Sequence, residues 1–136
     1  MTKLTPAQQR KLEKAARTAA KHSYSPYSQF PVGAAVLADS GKIYVGTNVE
    51  NASYGLCNCA ERTAIFSAIA AGERPLSCVV VYTPTQTATP PCGACRQVIN
   101  EFGPKIPVIA ICDSDDRIET TIDALLPAAF GPQNLD

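Results

Sequence analysis

The sequence lacks an excess of charge of either sign, because 12 lysines and arginines balance 12 aspartates and glutamates. Proteins that bind a polyanion usually carry a clear basic excess, so this balance argues against nucleic acid as a partner. No apolar run approaches the roughly 20 residues that a membrane-spanning helix needs, and residues 1–14 contain no apolar region of the signal-peptide type. We therefore expect a cytoplasmic protein that binds neither nucleic acid nor a membrane.

Histidine is also nearly absent, since His22 is the one histidine in the sequence. It follows a predicted helix, where its simplest role is that of a solvated residue that compensates the helix dipole. The six cysteines are therefore the better candidates for metal ligands. In a cytoplasmic protein, cysteines serve in metal binding or catalysis more often than in disulfides.

The length and the order of the predicted elements define the fold class. A chain of 136 residues with 46% hydrophobic residues is large enough for one domain with its own core, and we assign residues 1–136 to that domain. Periodicity and turn residues predict helices at 6–21, 60–71, 92–102 and 122–130, and strands at 31–37, 43–47, 78–82, 108–112 and 118–121. Two strand–helix–strand crossovers and one hairpin predict an α/β fold, a three-layer α/β/α arrangement around a mixed sheet of about five strands.

Two short motifs carry the chemistry. Cys59 stands two residues before Glu61, and Cys92 and Cys95 form a Cys-x-x-Cys pair directly after Pro91. Each motif opens a predicted helix, whose positive end favours thiolates. Three thiolates can hold Zn²⁺ and leave its fourth position for water, and a carboxylate beside that position can carry the protons of a hydrolysis. The same spacing is the known signature of zinc-dependent deaminases.

Cysteine motifs of this kind have two other common uses. A Cys-x-x-Cys pair alone is also typical of redox proteins, and Cys57 could add a fourth thiol to form a closed structural zinc site. The carboxylate of the first motif favours the catalytic site, because a structural zinc needs no carboxylate beside an open position. We therefore take Cys59 as the ligand and Cys57 as its neighbour, and we interpret Cys78 and Cys112 as buried residues of apolar strands.

A zinc ion on three thiolates carries a net negative charge, which opposes deprotonation of a bound water. A positive group near the sulfurs would offset this charge. Arg62 follows the first motif and Arg96 follows the second, and either could donate charge-assisted hydrogen bonds to the sulfurs. Arg62 is the stronger candidate for this compensation.

The sequence resembles the small homotetrameric zinc-dependent cytidine deaminases, which belong to the cytidine and deoxycytidylate deaminase superfamily. The stretches that carry the resemblance contain both cysteine motifs and three further segments: 24–35, 48–54, 57–64, 91–98 and 125–130. The resemblance implies hydrolytic deamination of cytidine and 2'-deoxycytidine to uridine and 2'-deoxyuridine, with release of ammonia, in pyrimidine salvage. It also implies one Zn²⁺ in each subunit of a homotetramer.

The same resemblance implies the catalytic roles. Cys59, Cys92 and Cys95 would bind the zinc. Glu61 would take a proton from the water that the zinc activates and pass it to N3 of the pyrimidine. It would later give a further proton to the departing ammonia.

The resemblance also implies the substrate contacts. Asn48 and Glu50 would bind the ribose hydroxyls. Phe30 would pack against the pyrimidine, and Ala60 would contact the substrate as well. Neighbouring subunits would complete each pocket with three residues: Ala52, Tyr54 and Phe130.

Three other functions compete with this interpretation. The nearest is deamination of another free nucleoside, such as a blasticidin S-type antibiotic, whose enzymes are similar around the zinc; Phe30 and the 48–52 loop favour cytidine. A polynucleotide cytosine deaminase must bind a charged strand, which the zero net charge opposes. A zinc-binding module without activity would not need Glu61.

Overall fold

The computed structural model of the protein describes residues 4–135. Within that range the helices are α1 (Pro6–Ala20), α2 (Ala60–Ala70), α3 (Gly93–Glu101) and α4 (Ile122–Leu125), and the strands are β1 (Gly33–Ala38), β2 (Ile43–Thr47), β3 (Leu76–Tyr82), β4 (Pro107–Ile111) and β5 (Arg117–Thr121). Short 3-10 helices lie at Tyr54–Leu56 and Pro132–Leu135. The five strands and first three helices begin and end within two residues of their predicted bounds. None of the helices in this range is long and apolar enough to cross a membrane.

The first helix begins at a capping box that the sequence predicts. The Thr5 hydroxyl accepts a hydrogen bond from the backbone N–H of Gln8 at 3.1 Å, and the Gln8 side chain accepts one from the backbone N–H of Thr5 at 3.0 Å. Both bonds satisfy N–H groups that otherwise have no partner at a helix start. Leu12 and Ala16 form the buried side of α1 against the sheet.

The sheet is mixed and lies between two helix layers. Its strand order is β2-β1-β3-β4-β5, with β3 and β4 parallel and the remaining neighbours antiparallel. α1 packs on one face, and α2, α3 and α4 pack on the other. The predicted three-layer α/β/α fold is therefore confirmed. Because β2 and β3 run in the same direction, α2 and α3 both begin at the same edge of the sheet.

Glycines allow helix backbones to approach the strands closely on both faces. A Cβ atom at Gly33 of β1 would lie 1.9 Å from the carbonyl oxygen of Ala16 in α1. A Cβ atom at Gly46 of β2 would lie 2.3 Å from the nitrogen of Ala64 and 2.5 Å from the carbonyl oxygen of Ala60, both in α2. The start of α2 is therefore fixed in height above the sheet by direct backbone packing.

The helix predicted at 122–130 is wrong beyond Leu125, where α4 ends. Leu126 has φ −137° and ψ 69°, which is not helical. The cause is Pro127, because a proline disfavours the helical conformation of the residue before it. Ala128 then adopts a φ of 53°, so the chain turns away from the helix axis.

Candidate active site at two helix starts

Three thiols meet where α2 and α3 begin. Cys59 is the N-cap residue of α2, Cys92 is the N-cap residue of α3, and both have extended backbones. Cys95 lies one turn further along α3 and is buried. The Cys59 and Cys92 Sγ atoms are 3.8 Å apart, and all three sulfurs lie within 4.8 Å of one another. The structure therefore brings together the three cysteines that the sequence assigns to the metal.

The spacing of the sulfurs fits a zinc ion. A tetrahedral site with Zn–S bonds of about 2.3 Å places its sulfurs about 3.8 Å apart. The cluster is buried at Cys95, half-buried at Cys59 and exposed at Cys92. Three such thiolates can hold Zn²⁺ from one side and leave a coordination position on the other for a water or substrate atom.

Cys57 lies outside this cluster. Its Sγ accepts a hydrogen bond from the backbone N–H of Asn51 at 3.3 Å and lies 3.6 Å from the Asn51 carbonyl oxygen. Among residues 4–135, the group that could hold a metal contains the other three thiols and not this one. The geometry favours the open three-thiol site over the closed four-thiol alternative.

One of the two candidate arginines reaches a sulfur. Arg62 donates a hydrogen bond from Nη2 to the Cys59 Sγ at 3.3 Å. Arg96 points elsewhere, toward the carbonyl oxygens of Pro91 and Leu125. Of the two, Arg62 therefore has the geometry for offsetting the negative charge of the thiolates.

The pKa values of Cys59 and Cys95 are shifted in opposite directions. A hydrogen bond from the Cys95 thiol and the bond from Arg62 lower the pKa of Cys59 to about 5, although partial burial works against this shift. The pKa of Cys95 moves in the opposite direction, because its thiol donates to Cys59 and is itself buried. Cys59 is therefore already a thiolate near neutral pH, as metal binding requires.

Glu61 stands in the first turn of α2 and is 4% exposed. Burial raises the pKa of Glu61 to about 7, and the negative charge of Cys59 adds to the shift. A carboxyl group with a pKa near the working pH can both accept and return a proton. This burial is a property that the sequence alone does not give.

A short extended segment joins the thiol cluster to the loop before β1. Val49 exchanges backbone hydrogen bonds with Asn58, at 3.0 and 2.9 Å. On its other side, the Tyr24 N–H donates to the Asn48 carbonyl oxygen, and the Glu50 N–H donates to the Tyr24 carbonyl oxygen. The 48–50 segment therefore lies between the 24–30 loop and the residue that precedes Cys59.

Asn48 organises the loop that carries Phe30. Its Oδ1 accepts from the Ser23 hydroxyl and from the Val32 N–H, and its Nδ2 donates to the Phe30 carbonyl oxygen at 2.8 Å. A carboxamide has two N–H groups, so one donor of Asn48 has no partner in these three bonds.

Glu50 organises the turn next to it. Its Oε1 accepts from the backbone N–H groups of Tyr27 and Ser28, at 3.0 and 3.1 Å, and its Oε2 accepts from the Ser28 hydroxyl. The Ser28 bonds keep the pKa of Glu50 below its ordinary value, so the side chain is an anion. No pattern in the sequence points to Ser28, because a single serine in a loop has no characteristic spacing.

Two hollows in the surface differ in their chemistry. A recess of about 260 Å³ is lined by Tyr27, Ser28, Glu50, Tyr54 and Cys57. A larger hollow of about 510 Å³ lies at the far end of α3 and contains neither Glu61 nor any of the three thiols. The smaller recess does not contain Glu61 or the three thiols either, but it is lined by Glu50, one of the residues that the sequence assigns to the substrate.

The three residues assigned to neighbouring subunits are all exposed in the single chain. Tyr54 is 72% exposed and meets the Tyr27 ring edge-on at 5.7 Å between centroids. Phe130 is 59% exposed, and its carbonyl oxygen accepts hydrogen bonds from Gln97 at 2.8 Å and Asn100 at 3.4 Å. Ala52 is exposed beside Tyr54.

A buried carboxyl group beside a thiolate metal site is the machinery of a zinc-dependent hydrolase. Residues 6–111 match the family profile described as the cytidine and deoxycytidylate deaminase zinc-binding region. The chain therefore belongs to the cytidine and deoxycytidylate deaminase family, and most of it is the zinc-binding region of that family.

Known proteins resemble the chain over most of their length. The cytidine deaminase of Sporosarcina psychrophila is 47% identical over 126 residues, which cover 92% of this chain and 93% of the relative. The cytidine deaminase of Halalkalibacterium halodurans is 44% identical over 126 residues, 92% of this chain and 96% of the relative. The crystal structure of cytidine deaminase from Burkholderia pseudomallei superimposes with a TM-score of 0.86 at 50% identity, over 89% of this chain and 98% of that one.

Proposed function

We propose that the protein catalyses the hydrolytic deamination of cytidine and 2'-deoxycytidine to uridine and 2'-deoxyuridine, with release of ammonia. The observation that carries this proposal is the buried Glu61 carboxyl beside three thiols spaced for zinc. The relatives that are named cytidine deaminase support the choice of substrate.

Cys59, Cys92 and Cys95 would hold one Zn²⁺ per subunit. When bound, the ion supplies a Lewis acid that activates water near neutral pH. The cysteines contribute by their placement: two cap helices whose positive ends stabilise thiolates, and the third fixes the buried side of the cluster. Arg62 would balance the charge of the three sulfurs through its bond to Cys59.

Glu61 would be the proton carrier. It would take a proton from the attacking water and deliver it to N3 of the pyrimidine. It would then take the second proton from the new hydroxyl group at C4 and deliver it to the amino group, which leaves as ammonia while the C4 carbonyl forms. A carboxyl group that both accepts and donates within one turnover is best served by a pKa near the working pH. The burial of Glu61 is the main cause of that pKa, and the negative charge of Cys59 adds to it.

Asn48 and Glu50 would bind the sugar. Asn48 retains one N–H donor after its bonds to the 23–32 segment, and Glu50 retains an acceptor site after its three bonds to the turn. One donor and one acceptor match a pair of ribose hydroxyls, each of which can donate and accept. Phe30 would pack against the base. Ala60 would contact it through the start of α2, where backbone N–H groups lack helical partners.

We further propose a homotetramer whose sites are completed by Ala52, Tyr54 and Phe130 of adjacent subunits. The exposed aromatic rings of Tyr54 and Phe130 support this, since large exposed apolar groups favour burial in an interface. Free thiols persist in reducing compartments, which supports a cytoplasmic location. The proposed substrates are free pyrimidine nucleosides, which fit a role in pyrimidine salvage. Light scattering after size-exclusion chromatography would test the assembly, and a monomer at micromolar concentration would contradict it.

The activity is tested with Glu61→Gln, which keeps the size of the side chain and removes its ionisation. Wild-type protein should convert cytidine and deoxycytidine, followed by the change in absorbance as the exocyclic amine is lost. The variant should retain zinc and lose at least about 100-fold in turnover. A zinc-loaded wild type that converts neither nucleoside, or converts only an antibiotic nucleoside, would overturn the assignment.

The ligand set is tested with a matched pair of cysteine variants. Cys92→Ser should lose zinc, measured by elemental analysis of the purified protein. Cys57→Ser changes a thiol two residues from Cys59, and this variant should keep its zinc. Equal zinc loss in both variants would favour a four-thiol structural site and contradict the open catalytic one.

A further inference from the structure

Arg96 makes two bonds that its place in the sequence does not suggest. It follows Cys95 directly, yet its Nε donates to the carbonyl oxygen of Pro91 at 2.8 Å and its Nη1 donates to the carbonyl oxygen of Leu125 at 2.9 Å. Helix side chains lean toward the N-terminus, so a residue at this position lies over the turn that begins at Cys92. Arg96 therefore spans the gap between the start of α3 and the end of α4.

Among residues 4–135, the carbonyl oxygen of Pro91 receives its hydrogen bond from the Arg96 side chain and not from the backbone. Pro91 is fully buried, and it immediately precedes Cys92, the N-cap residue of α3. Within the part of the chain that the structure describes, no backbone N–H donates to this oxygen. The Arg96 guanidinium therefore sets the orientation of the peptide unit that joins Pro91 to Cys92, and with it the direction in which the Cys92 thiol points.

The second carbonyl that Arg96 contacts belongs to Leu125, the last residue of α4. Leu125 is the first residue of the segment 125–131, which we name the closing segment and which contains the exposed ring of Phe130. At the other end of this segment, the Phe130 carbonyl oxygen accepts from Gln97 and Asn100. Three side chains of α3 therefore hold the closing segment at two points, while the first turn of the same helix carries two of the three thiols.

We propose that Arg96 is a positioning residue that holds Cys92 in its zinc-binding orientation and couples the zinc site to the closing segment. A planar guanidinium can do this because its donors form a rigid fork, so both carbonyl oxygens are held at a fixed distance. A shift of either carbonyl moves the other through Arg96. The proposal rests on Cys92 being a zinc ligand, as proposed above.

Three variants test this role against a general effect of charge or of lost hydrogen bonds. Arg96→Gln removes the fork and the charge. Arg96→Lys keeps the charge but cannot bond two carbonyls as a fork. Arg74→Gln is the matched control, because Arg74 donates from Nη1 to the carbonyl oxygens of Ile69 and Glu73, at 3.2 and 2.8 Å, after the end of α2 and away from the thiols.

The first measurement is zinc affinity, from competition between zinc-free protein and a chromophoric chelator. Residues that support metal ligands typically contribute 10–100-fold to affinity, so Arg96→Gln should weaken zinc binding by at least about tenfold. Arg96→Lys should also weaken it, and Arg74→Gln should match wild type. Wild-type affinity in Arg96→Lys overturns the positioning role. If Arg96→Gln does not fold, Arg96→Lys decides the result alone.

The second measurement is amide hydrogen exchange in a peptide that covers the closing segment. In wild type, exchange there should be slower with zinc than without it. In Arg96→Gln it should be fast in both states, while Arg74→Gln should behave as wild type. If the exchange rate of the closing segment in wild type is the same with and without zinc, the proposed coupling is overturned. A wild type that binds no zinc overturns the proposed function itself, which is a different result from normal zinc binding in the variants.

Discussion

Gly46→Ala should displace the start of α2, the helix that carries Glu61, from its position on the sheet. The added Cβ would lie 2.3 Å from the Ala64 nitrogen and 2.5 Å from the Ala60 carbonyl oxygen, whereas ordinary contact begins at 3.4 Å. Both neighbours are backbone atoms of α2, so no side chain can rotate away. The start of α2 must therefore rise from the sheet by about 1 Å.

This displacement has two separable costs. Overpacking of a close contact typically costs about 1–3 kcal/mol of folding stability, and we expect the upper part of that range because a whole helix has to move. The same helix start carries Glu61 and is capped by Cys59, whereas Cys92 belongs to a different helix. A misplacement of about 1 Å between reacting groups can cost about 100-fold in rate.

Three assays on Gly46→Ala separate these costs: urea unfolding, zinc content and steady-state deamination. We expect a lower unfolding midpoint, weaker zinc retention and a loss of kcat that exceeds any change in KM. Val45→Ala is the control, because Val45 is the preceding residue of β2 and is 47% exposed. A Gly46→Ala protein with wild-type stability and turnover would refute the claim that direct packing of α2 on β2 sets the geometry of the site.

Two further variants test charges. Arg62→Gln removes the cation bonded to Cys59, so zinc affinity at neutral pH should fall about 10–100-fold and turnover should fall with it; unchanged values in both assays would contradict charge compensation. Partial burial raises the pKa of Glu13, but its bonds from Arg117 and Gln9 outweigh this and hold the pKa below its ordinary value. Glu13→Gln should therefore cost up to about 1 kcal/mol at pH 7, and this difference from wild type, measured by urea unfolding, should vanish as the pH falls below about 4.

Local signals in the sequence were sufficient for most of the fold. The capping box at Thr5 and Gln8 depends on residues three apart, and both of its bonds are present. The two cysteine motifs each predict a helix start, and the sheet then brings those starts to one edge. The exception is the end of α4, where Pro127 decides the conformation of Leu126 and a longer apolar pattern concealed that effect.

The parts of the site that could not be predicted depend on contacts between distant residues. Glu50 holds a turn 22 and 23 residues earlier in the chain, and Arg96 reaches Leu125, 29 residues later. Neither pairing leaves a spacing pattern, because each is fixed by how the loops pass one another after the sheet has formed. The burial that raises the pKa of Glu61 has the same origin, since α2 and the sheet supply it together.

The unequal burial of the cysteines gives the folded protein a chemical measure of its own zinc content. Cys78 is buried, and this burial raises its pKa to about 12, so alkylating reagents should not reach it as a thiolate. Cys92 is exposed and Cys59 half-buried, and hydrogen bonds from Cys95 and Arg62 lower the pKa of Cys59 to about 5. Zinc would occupy both sulfurs and protect them. The number of rapidly alkylated cysteines, counted by mass spectrometry against the constant reaction of Cys57, would then report the fraction of molecules that lack zinc.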